Sequence, residues 1–186
     1  MNSAWIVLDR DGVINFDSDD YIKSAEEWRP LPGSIDAIAK LKAAGYKVAV
    51  VTNQSGLGRG LFDLDDLEAM HEKMQALLAE EHASIDAIFY CPHAPDDNCN
   101  CRKPATGMLD ALEDEFSVDI SGAYFVGDSL KDLQLAVKKQ CRPVLVLTGK
   151  GKLTQNSLEK TQQLKDTPVF PDLREFVNTL LKGSNS

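Results

Sequence analysis

"AWIVLDRDGVIN", residues 4–15, passes from an apolar run directly into two aspartates one residue apart. Ala4 to Leu8 carries no polar interruption and reads as a short strand buried on both faces. Side chains two apart on an extended chain point the same way, so Asp9 and Asp11 can face one site. The same kind of run recurs in "YKVAVVT" (46–52), "DAIFYC" (86–91), "AYFVG" (123–127) and "PVLVLT" (143–148). Helical periodicity fills 32–45, 64–82, 107–116, 130–140 and 173–181, with Gly45 as a helix stop and Asp63 as a cap. Strands separated by helices predict parallel pairing with crossover helices: an α/β fold, a three-layer open parallel sheet. Residues 12–31 and 91–104 are expected to be long loops, and 150–168 a polar connection. "TGKG" (148–151) could offer backbone N–H groups to phosphate but reads as a glycine turn.

The 186 residues suit one domain, taken as 1–182, with a frayed polar tail at 183–186. Twenty Lys and Arg against 29 Asp and Glu give a net charge of −9, which argues against a nucleic-acid partner. No apolar stretch approaches ~20 residues and no secretory signal is visible, so a cytoplasmic monomer with no membrane partner is expected.

Ligands of such sheets sit beyond the carboxyl ends of the strands. The residues found there are Asp9, Arg10 and Asp11; Thr52, Asn53 and Gln54; Cys91 and His93; Gly127, Asp128 and Ser129. A carboxylate is ionised at neutral pH and attacks without a base, but a phosphate repels it until a divalent cation neutralises both. Asp9, Asp11 and Asp128 offer the oxygen ligands that Mg²⁺ prefers. If Asp9 is phosphorylated, the departing oxygen needs a proton, and Asp11, its pKa raised by its neighbour, would supply it.

Four segments in order, "DRDGVIN", "VVTNQSG", "CRKP" and "VGDSLKD", resemble the motifs of the haloacid-dehalogenase superfamily of aspartate-nucleophile phosphatases. The resemblance implies a Rossmann-like core with Asp9 as nucleophile and Asp11 as acid/base. It places Thr52 on the transferring phosphoryl group, with Asn53, Gln54 and Ser55 beside it. Lys103 would neutralise Asp9 and the phosphate, and Asp128 would bind Mg²⁺ with Asp132 in support. The residues alone also read Asp132 as a surface charge or a cap partner. The chain has no room for a large cap domain.

"CPHAPDDNCNC" places Cys91, His93, Cys99 and Cys101 together, a donor set suited to a closed structural Zn²⁺ site. Such a knot would hold Arg102 and Lys103 over the carboxylates. Cys141 reads as a core cysteine, and His71 and His82 as packing or surface residues. Motifs and loop together resemble the zinc-loop family of heptose bisphosphate 7-phosphatases, sisters of the histidinol-phosphate phosphatases. That likeness implies a small sugar phosphate as substrate, with Arg59 near its distal phosphate. Sugar contacts are expected from Asp17, Ser18, Asp19, Asp20 and Tyr21, and substrate contacts from Arg102 and Ser129. Ser129 stands where some members carry lysine. A Mg²⁺-dependent phosphatase is the leading reading; the alternatives are a histidinol-phosphate phosphatase and a non-catalytic zinc-stabilised binding protein.

Overall fold

In a computed structural model, which describes residues 4–183, β1 (Trp5–Leu8) runs through the middle of a six-stranded sheet. β2 (Lys47–Asn53) flanks it on one side, with β3 (Ala87–Cys91) beyond. On the other side lie β4 (Tyr124–Gly127), β5 (Arg142–Val146) and β6 (Val169–Phe170), giving the order β3-β2-β1-β4-β5-β6. These pairings are all parallel, as the alternation of strands and helices requires.

Alternation along the strands creates the three layers. Ile6, Leu8, Val48 and Val50 point to a face covered by α1 (Ser34–Ala43), α3 (Leu64–Glu80) and α7 (Leu173–Gly183). Trp5, Val7, Ala49 and Val51 point to the opposite face, covered by α4 (Gly107–Phe116) and α5 (Leu130–Lys138). With both faces buried, the central strands read as unbroken apolar runs.

The expected punctuation holds. Tyr46 N–H bonds Leu41 O and Gly45 N–H bonds Lys42 O, both at 3.0 Å, around a left-handed Gly45 with φ +87°. Asp63 and Asp66 form a reciprocal capping box at the start of α3.

Four stretches differ from expectation. Segment 150–168 contains α6 (Gly151–Leu158), whose Leu158 packs with Leu133, Leu145 and Leu164, and the chain then pairs a sixth strand. The fifth strand ends at Val146 rather than Thr148. A four-residue helix, α2 (Ser55–Gly58), follows β2. Gly183, expected to begin the tail, closes α7; residues 184–186 lie outside the described residues.

From β1 the chain winds outward through β2 and β3, then returns to pair β4 on the other side of β1. The crevice at the carboxyl ends of β1 and β4 is therefore a topological switch point, where α/β sheets bind ligands. Asp9 follows β1 there, and Asp128 follows β4.

Candidate active site

Asp9 is held in place as β1 ends. Its Oδ1 accepts from Arg10 N–H at 2.7 Å and from Lys103 Nζ at 2.7 Å, which leaves Oδ2 for chemistry. Lys103 is almost fully buried, and its ammonium also reaches Asp132 Oδ1 at 2.7 Å and the carbonyl of Val51 at 2.8 Å. Asn53 fixes the lysine backbone from both sides, accepting from Lys103 N–H and donating to Lys103 O. Asp132 is the cap partner among its readings and, being fully buried, not a surface charge: Ser129 N–H and Oγ–H cap onto its Oδ2, while Oδ1 pairs with Lys103, a contact not expected from the sequence.

Asp9, Asp128 and Asp132 bring carboxylate oxygens within 4.8 Å of one another, all buried. Burial, then the negative charge of Asp132, pushes Asp9 well above the usual carboxylate range. The same two causes push Asp128 up to about 7. Asp128 is anchored from the segment after β5: Lys150 N–H bonds its Oδ2 and Thr154 Oγ–H bonds its carbonyl, each at 2.8 Å. Gly149, at φ +55°, allows this approach, since a Cβ there would lie 2.1 Å from Asp128 Oδ2. "TGKG" is thus a turn that spends its backbone donor on a carboxylate rather than on phosphate.

Asp11 departs from expectation. Its carboxylate does not join the three-carboxylate cluster; it receives Arg10 Nη2 at 3.0 and 3.2 Å, Asn15 Nδ2 at 2.8 Å and Gln54 Nε2 at 2.8 Å. Burial raises its pKa, but the Arg10 charge and these hydrogen bonds outweigh burial and hold it below the ordinary value. The expected upward shift falls on Asp9 instead.

These groups line a cavity of about 400 Å³. Asp9, Asp11, Thr52, Asn53, Gln54, Ser55, Lys103, Asp128 and Ser129 form its base; Asp17, Ser18, Asp19 and Tyr21 form one wall. Arg102, Lys131 and Lys150 bring three cations to the mouth, where burial and then the charges of Arg102 and Lys150 lower the Lys131 pKa. Asp20 and Arg59 are not among the walls. Arg59 caps the end of α2 and is exposed.

Beside the cavity, Cys91 Sγ lies 3.1 Å from Cys101 Sγ and 3.6 Å from both Cys99 Sγ and His93 Nδ1; His93 Nδ1 is 3.2 Å from Cys101 Sγ. Arg102 Nη1 donates to His93 O, tying this knot to the cavity mouth. Cys141 is buried against Ile120 as a core residue, and His82 is exposed.

Residues 6–142 match the polynucleotide kinase 3 phosphatase family. The chain is 52% identical over 182 residues to the D-glycero-beta-D-manno-heptose-1,7-bisphosphate 7-phosphatase of Pseudomonas aeruginosa, covering 98% of this chain and all of that one. The chain belongs to the D-glycero-beta-D-manno-heptose-1,7-bisphosphate 7-phosphatase family. It is a haloacid-dehalogenase-superfamily phosphatase, a hydrolase of phosphoric monoesters. A crystal structure of D,D-heptose 1,7-bisphosphate phosphatase from Bordetella bronchiseptica, complexed with magnesium and phosphate, is 48% identical and superposes with a TM-score of 0.91, over 97% of this chain and 99% of that one. The enzyme from Burkholderia thailandensis is 44% identical with a TM-score of 0.73, over 96% and 99%.

Sequence reasoning missed Lys131, Lys150 and Thr154 of this phosphatase. Lys131 lies two residues after Ser129 and restores a cation to the mouth where the lysine of some relatives is absent. The other two lie in the polar segment read as a connection.

His71 is the packed histidine of the phosphatase, part-buried on α3, 3.3 Å from Arg10 Nη1. Burial, then the Arg10 charge, lowers its pKa to about 4. An unfolded histidine protonates near 6.5, so between about 6.5 and 4 the unfolded chain takes up a proton that the native state refuses. This contribution to stability is complete above the upper value and is lost as pH falls through the window, by about 3 kcal/mol in all at 1.36 kcal/mol per pH unit. Asp9 and Asp128, both pushed up, gain stability over the same range in either protein, so the loss is read as a difference: in denaturant titrations from pH 7 to pH 4 the wild type is expected to fall relative to His71→Gln by about that amount.

Proposed function

We propose that the protein removes the 7-phosphate of D-glycero-β-D-manno-heptose 1,7-bisphosphate in the cytoplasm, on the route to nucleotide-activated heptose for lipopolysaccharide. The observation that carries this reading is that Asp9, paired with Lys103, shares one cavity with three further cations, Arg102, Lys131 and Lys150. One phosphate is attacked at the base while Arg102, Lys131 and Lys150 hold the other. Histidinol phosphate carries one phosphate and an amine, which those cations would repel.

The residues present fit both metals. Asp9, Asp128 and Asp132 set three carboxyl groups against the single ammonium of Lys103, and the upward shifts of Asp9 and Asp128 mark a cluster short of positive charge beside the cavity. Asp9 and Asp128 would hold Mg²⁺, with Asp132 kept as the lysine's counterion. Bound there, Mg²⁺ neutralises charge on the attacking carboxylate and the phosphoryl oxygens. The three sulfurs and one imidazole nitrogen at 3.1–3.6 Å suit a tetrahedral Zn²⁺, whose ~2.3 Å bonds to sulfur place neighbouring ligands about 3.8 Å apart.

Asp9 Oδ2 attacks phosphorus, the bond to the sugar 7-oxygen breaks, and that oxygen takes a proton from Asp11. Asp11 is ionised at rest, so the incoming phosphate dianion must raise its pKa for it to carry that proton. Asp11 then deprotonates a water that attacks phosphorus, breaks the bond to Asp9 and releases phosphate. Thr52 and Lys103 hold the phosphoryl group between these steps, and the wall of Asp17, Ser18, Asp19 and Tyr21 shields it from bulk water.

Phosphate release from the β and α bisphosphates and from histidinol phosphate, with and without Mg²⁺, tests the reading. Mg²⁺-dependent preference for the β bisphosphate is expected; preference for histidinol phosphate overturns the substrate. Removing zinc with a chelator, in excess Mg²⁺, is expected to lower activity at least about tenfold, because Arg102 and Lys103 follow the knot. Full activity in zinc-free protein would contradict that role.

A further inference from the structure

Arg10, between the two aspartates, is fully buried and is not a wall of the cavity. Removing a guanidinium from water is costly unless its donors are matched, so their partners say what the residue is for. Nη2 forks onto both oxygens of Asp11, at 3.0 and 3.2 Å. Nη1 turns the other way, to α3, where it donates to His71 Nε2 at 3.3 Å and lies 3.9 Å from Met70 Sδ. Nε–H has no partner among the described residues, so nothing on the stem side fixes the plane of the fork.

Arginine only donates, so His71 must accept at Nε2 and be neutral, with its proton on Nδ1. Its lowered pKa agrees with that state. The guanidinium therefore has one anchor at each end: the carboxylate it serves and the imidazole behind it. Asn15 and Gln54 complete the set around Asp11, but each brings one donor and no charge.

We propose that His71 is a positioning residue that acts through Arg10 to aim the Asp11 carboxylate at the cavity. The inference rests on Asp11 as the acid/base of the proposed reaction. His71 does not line the cavity, so its loss reaches the proton-transfer step without touching the substrate. The signature is a fall in kcat with KM unchanged.

Two variants separate this role from packing. His71→Met fills similar volume in a helix but offers no comparable acceptor. His71→Gln keeps an acceptor able to meet Nη1. Kinetics are measured on the zinc-loaded full chain with Mg²⁺ and β heptose bisphosphate, with thermal unfolding to establish that each variant is folded. His71→Met is expected to lose about tenfold in kcat with KM within about twofold, a part of the ~10²–10⁴ that acid–base catalysis contributes. His71→Gln is expected to stay within about twofold of the wild type on both constants. Wild-type kcat in His71→Met, an equal fall in both variants, or a loss confined to KM overturns the inference. Should His71→Met not fold, His71→Gln decides alone: near wild-type kcat supports the role, and a tenfold fall overturns it. Wild-type protein that leaves the bisphosphate intact defeats the functional reading itself, whereas active wild type beside an indifferent His71→Met defeats only this inference.

Discussion

Asp9→Asn is expected to abolish phosphate release, lowering kcat by about four orders of magnitude or more, the scale on which nucleophile removal is felt. The amide keeps the shape of the side chain, and its oxygen can still accept from Arg10 N–H and Lys103 Nζ. It cannot form the acyl phosphate that a carboxylate forms with phosphorus. The fold should not suffer. Burial and Asp132 already disfavour the Asp9 carboxylate, so removing its charge relieves one of three crowded anions. Unfolding free energy is expected to be unchanged or raised, a trade of activity against stability common at active sites. Zinc content should stay at about one equivalent. Activity surviving this change would remove Asp9 from its role.

Lys103→Met should lose both. The ammonium compensates Asp9 and Asp132 directly, and it sits where water cannot replace it. Removing one partner of a buried ion pair leaves an uncompensated charge and costs about 3–5 kcal/mol. With three carboxylates left and no cation, urea unfolding should show that loss, and added Mg²⁺ should recover part of it by binding the native state alone. Turnover would fall by about 10²–10³, the cost of removing one preorganised charge-stabilising donor, and Mg²⁺ would not restore it. The two variants therefore move stability in different directions while both abolish or depress turnover. A Lys103→Met protein as stable as the wild type would show that the carboxylates are not charged together.

The residues that made the fold readable are those whose pattern and placement agree. Trp5–Leu8 and Lys47–Asn53 are buried on both faces, so their apolar runs had no other reading. Asp9, Thr52 and Asp128 are legible because each follows or closes a strand, and the sheet order brings those ends together; Lys103, far beyond the end of β3, is legible only through the resemblance of "CRKP". What escaped did so for local reasons. α6 is eight residues with a mixed polar sequence, and β6 is two residues between Pro168 and Pro171, too short for any periodicity. Without them Thr154 and Lys150 could not be placed beside Asp128. Arg59 lies outside the cavity lining at the end of the helical turn formed by "SGLG", a conformation its two glycines give no reason to expect. The charge state of Asp11 cannot be read from Asp9, because its nearer neighbour decides it. Arg10, one residue away, reaches both of its oxygens, whereas the Asp9 carboxylate turns to Lys103.

The account stands on a covalent bond between Asp9 and phosphorus. Rapid-quench samples of wild-type protein turning over β heptose bisphosphate with Mg²⁺, reduced with borohydride and digested, would carry that bond as homoserine in place of aspartate. Homoserine at position 9, present with substrate and absent without it, is the predicted result; reduction at another carboxylate, or at none while phosphate is being released, would contradict it.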